Sequence, residues 1–191
     1  MCIDIHASNI FLREIPQVRI NINTAEKLVP LAKHLNMDLI WIHSAATVLE
    51  STLAHSLNSI GTPTLVVEMG VGMRVTKTYG DQLIKGILSL MSHIGMWHAP
   101  TVPVAPPIIS SDGHVSFVNA PCPGIFFPSL EHTAQVEEGQ ELGVIADPLT
   151  GEIKQRLTSP AAGLLFTLRE YPVVYEGSLV ARILGGSIQS N

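Results

Sequence analysis

The chain has 191 residues, 46% hydrophobic and only 14% charged, with a formal net charge of −5. That composition excludes a disordered chain and calls for a substantial core in one large or two small domains. The acidic balance speaks against a nucleic-acid binder, and no apolar run approaches the ~20 residues needed to span a bilayer.

The N-terminus carries no basic region ahead of an apolar one, so no signal peptide is expected and the cytoplasm is the default compartment. Cys2 and Cys122 form neither a metal-type cluster nor a disulfide framework. The low charge fraction suits a surface that packs against further polypeptide.

Met1 to Ser8 alternates apolar and polar residues, which predicts a strand with Asp4 and His6 on the same side. Neutral imidazole is a good zinc ligand, and a nearby carboxylate orients it by accepting its second N–H. The plainer alternative is an ordinary polar histidine near a strand end. Ala7 to Val18 reads as an irregular connection, since Pro16 prevents regular helix there. Arg13 and Arg19 are the only arginines before Arg74. Either could grip a substrate carboxylate in a bidentate fork, or both could be solvated loop charges.

Asn23 or Thr24 can cap a helix running towards Leu35, kinked by Pro30. Asp38 to His43 reads as a strand whose end presents His43 as a ligand or as a polar pocket residue. Ala46 to Ser59 reads as a helix with Leu49, Leu53 and Leu57 on one face. Gly61 and Pro63 then stop that helix and open a strand. Thr64 to Val67 is apolar or β-branched and runs straight into Glu68, followed by Gly70 and Gly72. A buried strand that ends in a carboxylate and a Gly-x-Gly turn can present an acid or base, since ligand crevices lie at the carboxyl ends of strands. Its alternative is a strand that simply leaves the sheet into solvent.

Gly80 and Asp81 open the next predicted helix, with Ile84, Ile87, Leu88 and Met91 as its core stripe and Gly95 as its stop. Met91 and Met96 read as core, and His93 and His98 as surface or dipole-complementing residues. Ala99 to Pro107 holds four prolines and is expected to be an extended domain linker. Beyond it, short apolar runs at Val115–Val118, Gly143–Ala146, Leu164–Leu168 and Leu179–Ile183 alternate with turn signals, as in a small barrel or sandwich. Such β modules are also similar to biotinyl or lipoyl carrier domains, but Lys154, the only lysine there, lacks their flanking pattern. The tail after Gly185 is polar and expected to fray.

Taken together, these stretches resemble the succinylglutamate desuccinylase/aspartoacylase family of zinc-dependent, carboxypeptidase-like hydrolases. Asp4-Ile-His6 resembles that family's third zinc-ligand motif, and Arg13-Glu-Ile-Pro-Gln-Val-Arg19 its substrate-side segment. Gly61 to Gly70 resembles the strand bearing its catalytic glutamate. Ser159 to Gly163, with Tyr171 to Gly177, resembles its C-terminal β domain.

The resemblance implies an α/β fold with a partial carboxypeptidase-like sheet flanked by helices at 1–98, a Pro-rich linker at 99–108 and an all-β barrel or sandwich domain at 109–191. It implies hydrolysis of the amide bond of small N-acylated substrates. Glu68 would be the acid–base catalyst, His6 a zinc ligand, Asp4 its orienting partner, and Arg13 and Arg19 substrate contacts. One departure matters: the family's upstream His-x-x-Glu pair is missing, because none of the eight histidines is followed three residues later by Glu. The chain therefore reads as the C-terminal portion of a longer enzyme, inactive or nearly so unless a separately encoded N-terminal part completes it. An exposed sheet edge favours a homo-oligomer. A non-catalytic remnant or assembly module is the alternative.

Overall fold

The computed structural model describes residues 1–44, 51–111 and 114–185. The first part is α/β. Strand β1 (Cys2–His6) is followed by β2 (Leu12–Asn21), helix α1 (Ala25–Ala32), β3 (Leu39–His43), α2 (Leu53–Ser59), β4 (Thr64–Gly70) and α3 (Lys77–His93). All later elements are strands: β5 (Ile108–Ser111), β6 (Val115–Asn119), β7 (Gly124–Pro128), β8 (Gln135–Val136), β9 (Glu141–Ala146), β10 (Ile153–Thr158), β11 (Gly163–Arg169), β12 (Val173–Val174) and β13 (Leu179–Leu184).

A nine-stranded sheet runs β1-β4-β2-β11-β13-β6, with β3 and β5 continuing from β2 and β8 from β11. The other four strands form a second sheet in the order β10-β9-β7-β12. The two parts of the chain therefore share the large sheet, through antiparallel pairing of β11 with β2. The Pro-rich segment ends in β5, which pairs in parallel with β3.

Two cores follow the sequence. Val18, Ile20, Ile40, Leu65 and Val67 pack on Leu28, Leu35, Leu83 and Leu90 from the helical side. Phe126, Leu142, Ile145, Leu165 and Ile183 fill the second. A smaller cluster mixes the two parts: Ile15, Leu39 and Trp41 meet Leu164, Phe166 and Leu184.

Several expectations need correction. Ala7 to Val18 is not irregular throughout, because most of it lies in the ten-residue strand β2. Pro16 is tolerated because the register against β4 shifts between Glu14 and Gln17, where a bulge needs no ladder donor. The last long helix starts at Lys77, not at Gly80, and its buried face is Leu83, Gly86 and Leu90. Ile84 is 58% exposed and Met96 66% exposed, so neither is core. The stripe turns by about one residue because α3 seats on Gly86: a Cβ there would lie 1.8 Å from the Leu35 carbonyl oxygen. His93 does end α3, but its ring stacks on His34 at 3.8 Å between centroids.

Lys154 is the second residue of β10, just past the β9–β10 hairpin turn, and its Nζ donates to the Pro123 carbonyl. Of the expected helix from Ala46, residues 46–50 lie outside the described residues, as do Asp112, Gly113 and the tail after Gly185. Leu53 of its described part is 54% exposed.

The junction between the two parts is polar as well as apolar. Glu14 of β2 is 2% exposed, and its carboxylate accepts from Arg182 Nη1 at 2.7 Å, from the Thr167 hydroxyl and from Gln17 Nε2. Burial pushes the Glu14 carboxyl up from its ordinary 4.5, with Arg182 and the Thr167 hydrogen bond opposing. Because folding raises this pKa, the group's stabilising contribution is complete below the unfolded value. It is lost as pH rises through the folded value.

Two outcomes follow. Gly86→Ala should destabilise the fold by about 1–3 kcal/mol or more in urea unfolding, since backbone must shift to admit the methyl; an unchanged midpoint would show that α3 is not seated as described. The stability advantage of wild type over Glu14→Gln should shrink as pH rises from about 4 to 7, because only wild type carries that titration. A pH-independent difference would count against a raised Glu14 pKa.

Candidate active site

The site forms where β1 and β4 run side by side. The β4 run Thr-Leu-Val-Val is β-branched and apolar, and both faces of this segment find cover. Its start is clamped by Asn58 at the end of α2: the Thr64 amide donates to Asn58 Oδ1 at 2.9 Å, and Asn58 Nδ2 donates to the Thr64 carbonyl at 3.1 Å. Its end is set by Gly70, which turns the chain at φ +72°. Parallel pairing with β1 then sets Cys2 opposite Thr64 and, at the carboxyl ends, His6 opposite Glu68.

Four of the five side chains singled out in the sequence, Asp4, His6, Arg19 and Glu68, lie together there. His6 Nε2 lies 3.1 Å from Asp4 Oδ2, the carboxylate–imidazole contact that alternation along the strand predicts. Glu68 Oε2 accepts from Arg19 Nη1 at 2.6 Å. Arg19 reaches it because β2 is antiparallel to β4 and places Arg19 opposite Val66, one pleat from Glu68 on the same face. The guanidinium of Arg19 also lies over the Trp41 ring, 4.9 Å from its centroid, which fixes its plane. Arg182 approaches Trp41 too, at 5.6 Å.

These four side chains are among those that line a cavity of about 740 Å³. Val66, Asn21, His43, Thr52 and Asn58 are also among its walls. His43 ends β3 and is 6% exposed, so the strand-end histidine is a pocket residue. Asn21 and Asn58 escaped sequence reasoning. Asparagine near a turn reads as a cap or turn former, and Asn21 does accept from the Asn23 amide.

Arg13 goes elsewhere. Its Nη2 donates to Glu170 Oε1 at 3.1 Å, and Arg74 Nη1 meets the same oxygen. It lines a separate cavity of about 360 Å³ with His132, Ser129 and Leu168. His132 Nε2 contacts the Phe166 carbonyl at 3.0 Å, and burial pushes its imidazole down from the ordinary value. Arg13 and Arg19 sit on one strand, but the bulge after Glu14 and the pairing of Arg13 with Leu168 of β11 send them to different cavities.

A zinc site needs three or four protein ligands at bonding distance. Among the described residues, no group of three or more His, Cys, Asp or Glu side chains could hold a metal ion. His6 and Asp4 form a pair, and Glu68 is engaged by Arg19. The described residues by themselves do not fit a zinc ion. What they can do is hold a carboxylate in a fixed orientation beside an imidazole, in the lining of a cavity large enough for a small molecule.

No protein-family model and no curated protein matches the chain. Solved structures do. The product-bound ectoine utilization protein EutE (DoeB) from Ruegeria pomeroyi superposes with a TM-score of 0.81 at 17% identity, covering 95% of this chain and 56% of that one. A succinylglutamate desuccinylase from Silicibacter sp. TM1040 gives 0.81 at 16% identity, covering 96% and 57%. An aspartoacylase family protein from Mesorhizobium loti gives 0.71 at 14% identity, covering 96% and 57%. The resemblance to the succinylglutamate desuccinylase/aspartoacylase family therefore holds at the level of the fold. The chain spans little more than half the length of these proteins.

The Arg19–Glu68 pair should orient more than it stabilises. Its side chains are 34% and 18% exposed, so a double-mutant cycle with Arg19→Gln and Glu68→Gln should give a coupling of about 1 kcal/mol or less, weaker at high salt. A coupling of several kcal/mol would mean the pair is a structural element of the fold.

Proposed function

We propose that this chain carries the acid–base part of a deacylase-type hydrolase centre acting on the amide bond of small N-acylated molecules. The observation that supports this reading is Glu68 near the carboxyl end of β4, oriented by Arg19 beside the Asp4–His6 pair in the lining of the cavity. Glu68 takes a proton from water as that water adds to the amide carbonyl. It then gives the proton to the departing amine as the C–N bond breaks. One carboxyl group serves both steps because the first leaves it as the acid the second needs. Arg19 keeps the carboxylate aimed across the strand end, and Asp4 fixes the His6 ring.

In this reading His6 is one ligand of a zinc centre whose other donors come from polypeptide outside the present sequence. The chain alone is then inactive or nearly so. The pairing of Arg13 with Glu170 argues for a structural role at the second cavity, so substrate contact falls to Arg19 and to the polar wall formed by Asn21, His43 and Asn58. The shortage of metal donors also favours a second reading, in which the chain is a non-catalytic assembly module that keeps the fold.

The test is hydrolysis of a panel of N-acyl amino acids by the chain alone and by an assembly that supplies the remaining donors. We expect no turnover by the chain alone. In the competent assembly, Glu68→Gln should lower kcat by about 10²–10⁴-fold with unfolding stability unchanged. Turnover insensitive to Glu68→Gln would overturn the role given to that residue.

A further inference from the structure

We propose that the second cavity, where the start of β2 meets the β7–β8 connection and the end of β11, binds a small zwitterion of the apolar amino-acid class. Its volume of about 360 Å³ falls within the range of small-molecule sites, about 300–1,000 Å³. Among the described residues, its lining comes from β2, from β7 and the connection to β8, and from β11 and the turn after it. Neither β1 nor β4 contributes, so this site is built apart from the proposed hydrolytic centre. The inference does not rest on that reading.

The charge pattern of the lining selects the ligand. Two arginines, Arg13 and Arg169, face two glutamates, Glu131 and Glu170. A lone anion would meet both carboxylates and a lone cation both guanidiniums, whereas a ligand with one charge of each sign finds a partner for each. Arg169 is fully engaged: its Nε, Nη2 and Nη1 donate to the carbonyls of Tyr171, Val173 and Leu179. Arg13 is not. Its Nη2 is anchored on Glu170, but among the described residues Nη1 makes no hydrogen bond, and the side chain is 37% exposed. Nη1 is therefore a pre-oriented donor for a ligand carboxylate. Glu170 is held by both Arg13 and Arg74, whereas Glu131 is exposed and its side chain has no partner among the described residues. The ligand ammonium falls to Glu131.

His132 adds direction. The Phe166 carbonyl can only accept, so Nε2 carries the ring proton, and burial favours the neutral imidazole. Nδ1 is left as an acceptor for the same ammonium. Phe126 and Leu168 give the cavity an apolar wall for the rest of the ligand. The backbone beside His132 supports the assignment independently. Thr133 has φ +78°, a conformation that β-branched residues rarely adopt, and its amide donates to the Leu165 carbonyl at 3.0 Å. Backbone strain of this kind gathers where a ligand site must be held in shape.

Three probes with one carbon skeleton test the proposal: L-leucine, 4-methylpentanoate, which lacks the ammonium, and 3-methylbutylamine, which lacks the carboxylate. Each is titrated into the isotope-labelled chain and followed by amide chemical shifts. L-Leucine should bind with a Kd of about 1 mM or tighter, with shifts centred on residues 129–132 and 168–170. Both truncated probes should bind at least about tenfold more weakly, since each leaves charged partners in the cavity unmatched. Arg13→Gln and Glu131→Gln should each weaken leucine by about threefold or more. Glu131 has no side-chain bond to lose, so its variant keeps the test open if Arg13→Gln does not fold. No leucine binding, equal affinity for the three probes, shifts centred on the first cavity, or leucine affinity unchanged in Glu131→Gln would each overturn the proposal.

Discussion

Parallel pairing of β1 with β4 is the constraint from which the rest of the site descends. A shift of the register by one residue would turn Glu68 or His6 to the wrong face of the sheet, because side chains alternate with a period of two. Several independent devices hold the register. Asn58 grips both backbone groups of Thr64, Leu65 and Val67 are wholly buried beneath the helices, and Gly70 ends the strand with a turn. Each device is local and none involves the polar cluster itself. The side chains at the strand ends can therefore serve chemistry without carrying the stability of the fold.

The second layer of the account is β2. This strand joins the helical part to the β-rich part and carries both arginines of interest, but its polar residues are divided. Arg19 turns to Glu68, Arg13 to Glu170, and Glu14 is buried against Arg182 and Thr167. A buried carboxylate–guanidinium pair contributes little net stability when both partners are removed, whereas leaving either alone is costly. It does fix which strand meets which, since only β11 and β13 supply the partners. Trp41, approached by both Arg19 and Arg182, ties this junction to the candidate site.

Much of this arrangement was legible in the chain itself. β1, β3 and β4 show as alternating or apolar runs with clear stops, with His6 at the end of β1, Asp4 two residues before it on the same face, and Glu68 near the end of β4. β2 was not legible, because Pro16 and three charged residues between Leu12 and Asn21 mask a buried strand. Its burial depends on partners some 150 residues away, and no local periodicity carries that information. The stripe of α3 was misplaced for a similar reason: helical phase is set where Gly86 meets the Leu35 backbone, a contact between segments. The second part was readable as strands but not as sheets, since β11 pairs with β2 and β13 and not with β10 or β12, its neighbours in sequence.

The proposed function takes His6 as one donor of a metal centre for which the described residues supply too few companions. A competition titration of zinc against the purified chain and its His6→Ala variant tests this most directly. The account predicts weak binding, micromolar or poorer, that is lost on replacing His6, as fits a site short of the three or four ligands that tight zinc binding requires. Stoichiometric binding at nanomolar affinity by the chain alone would contradict it.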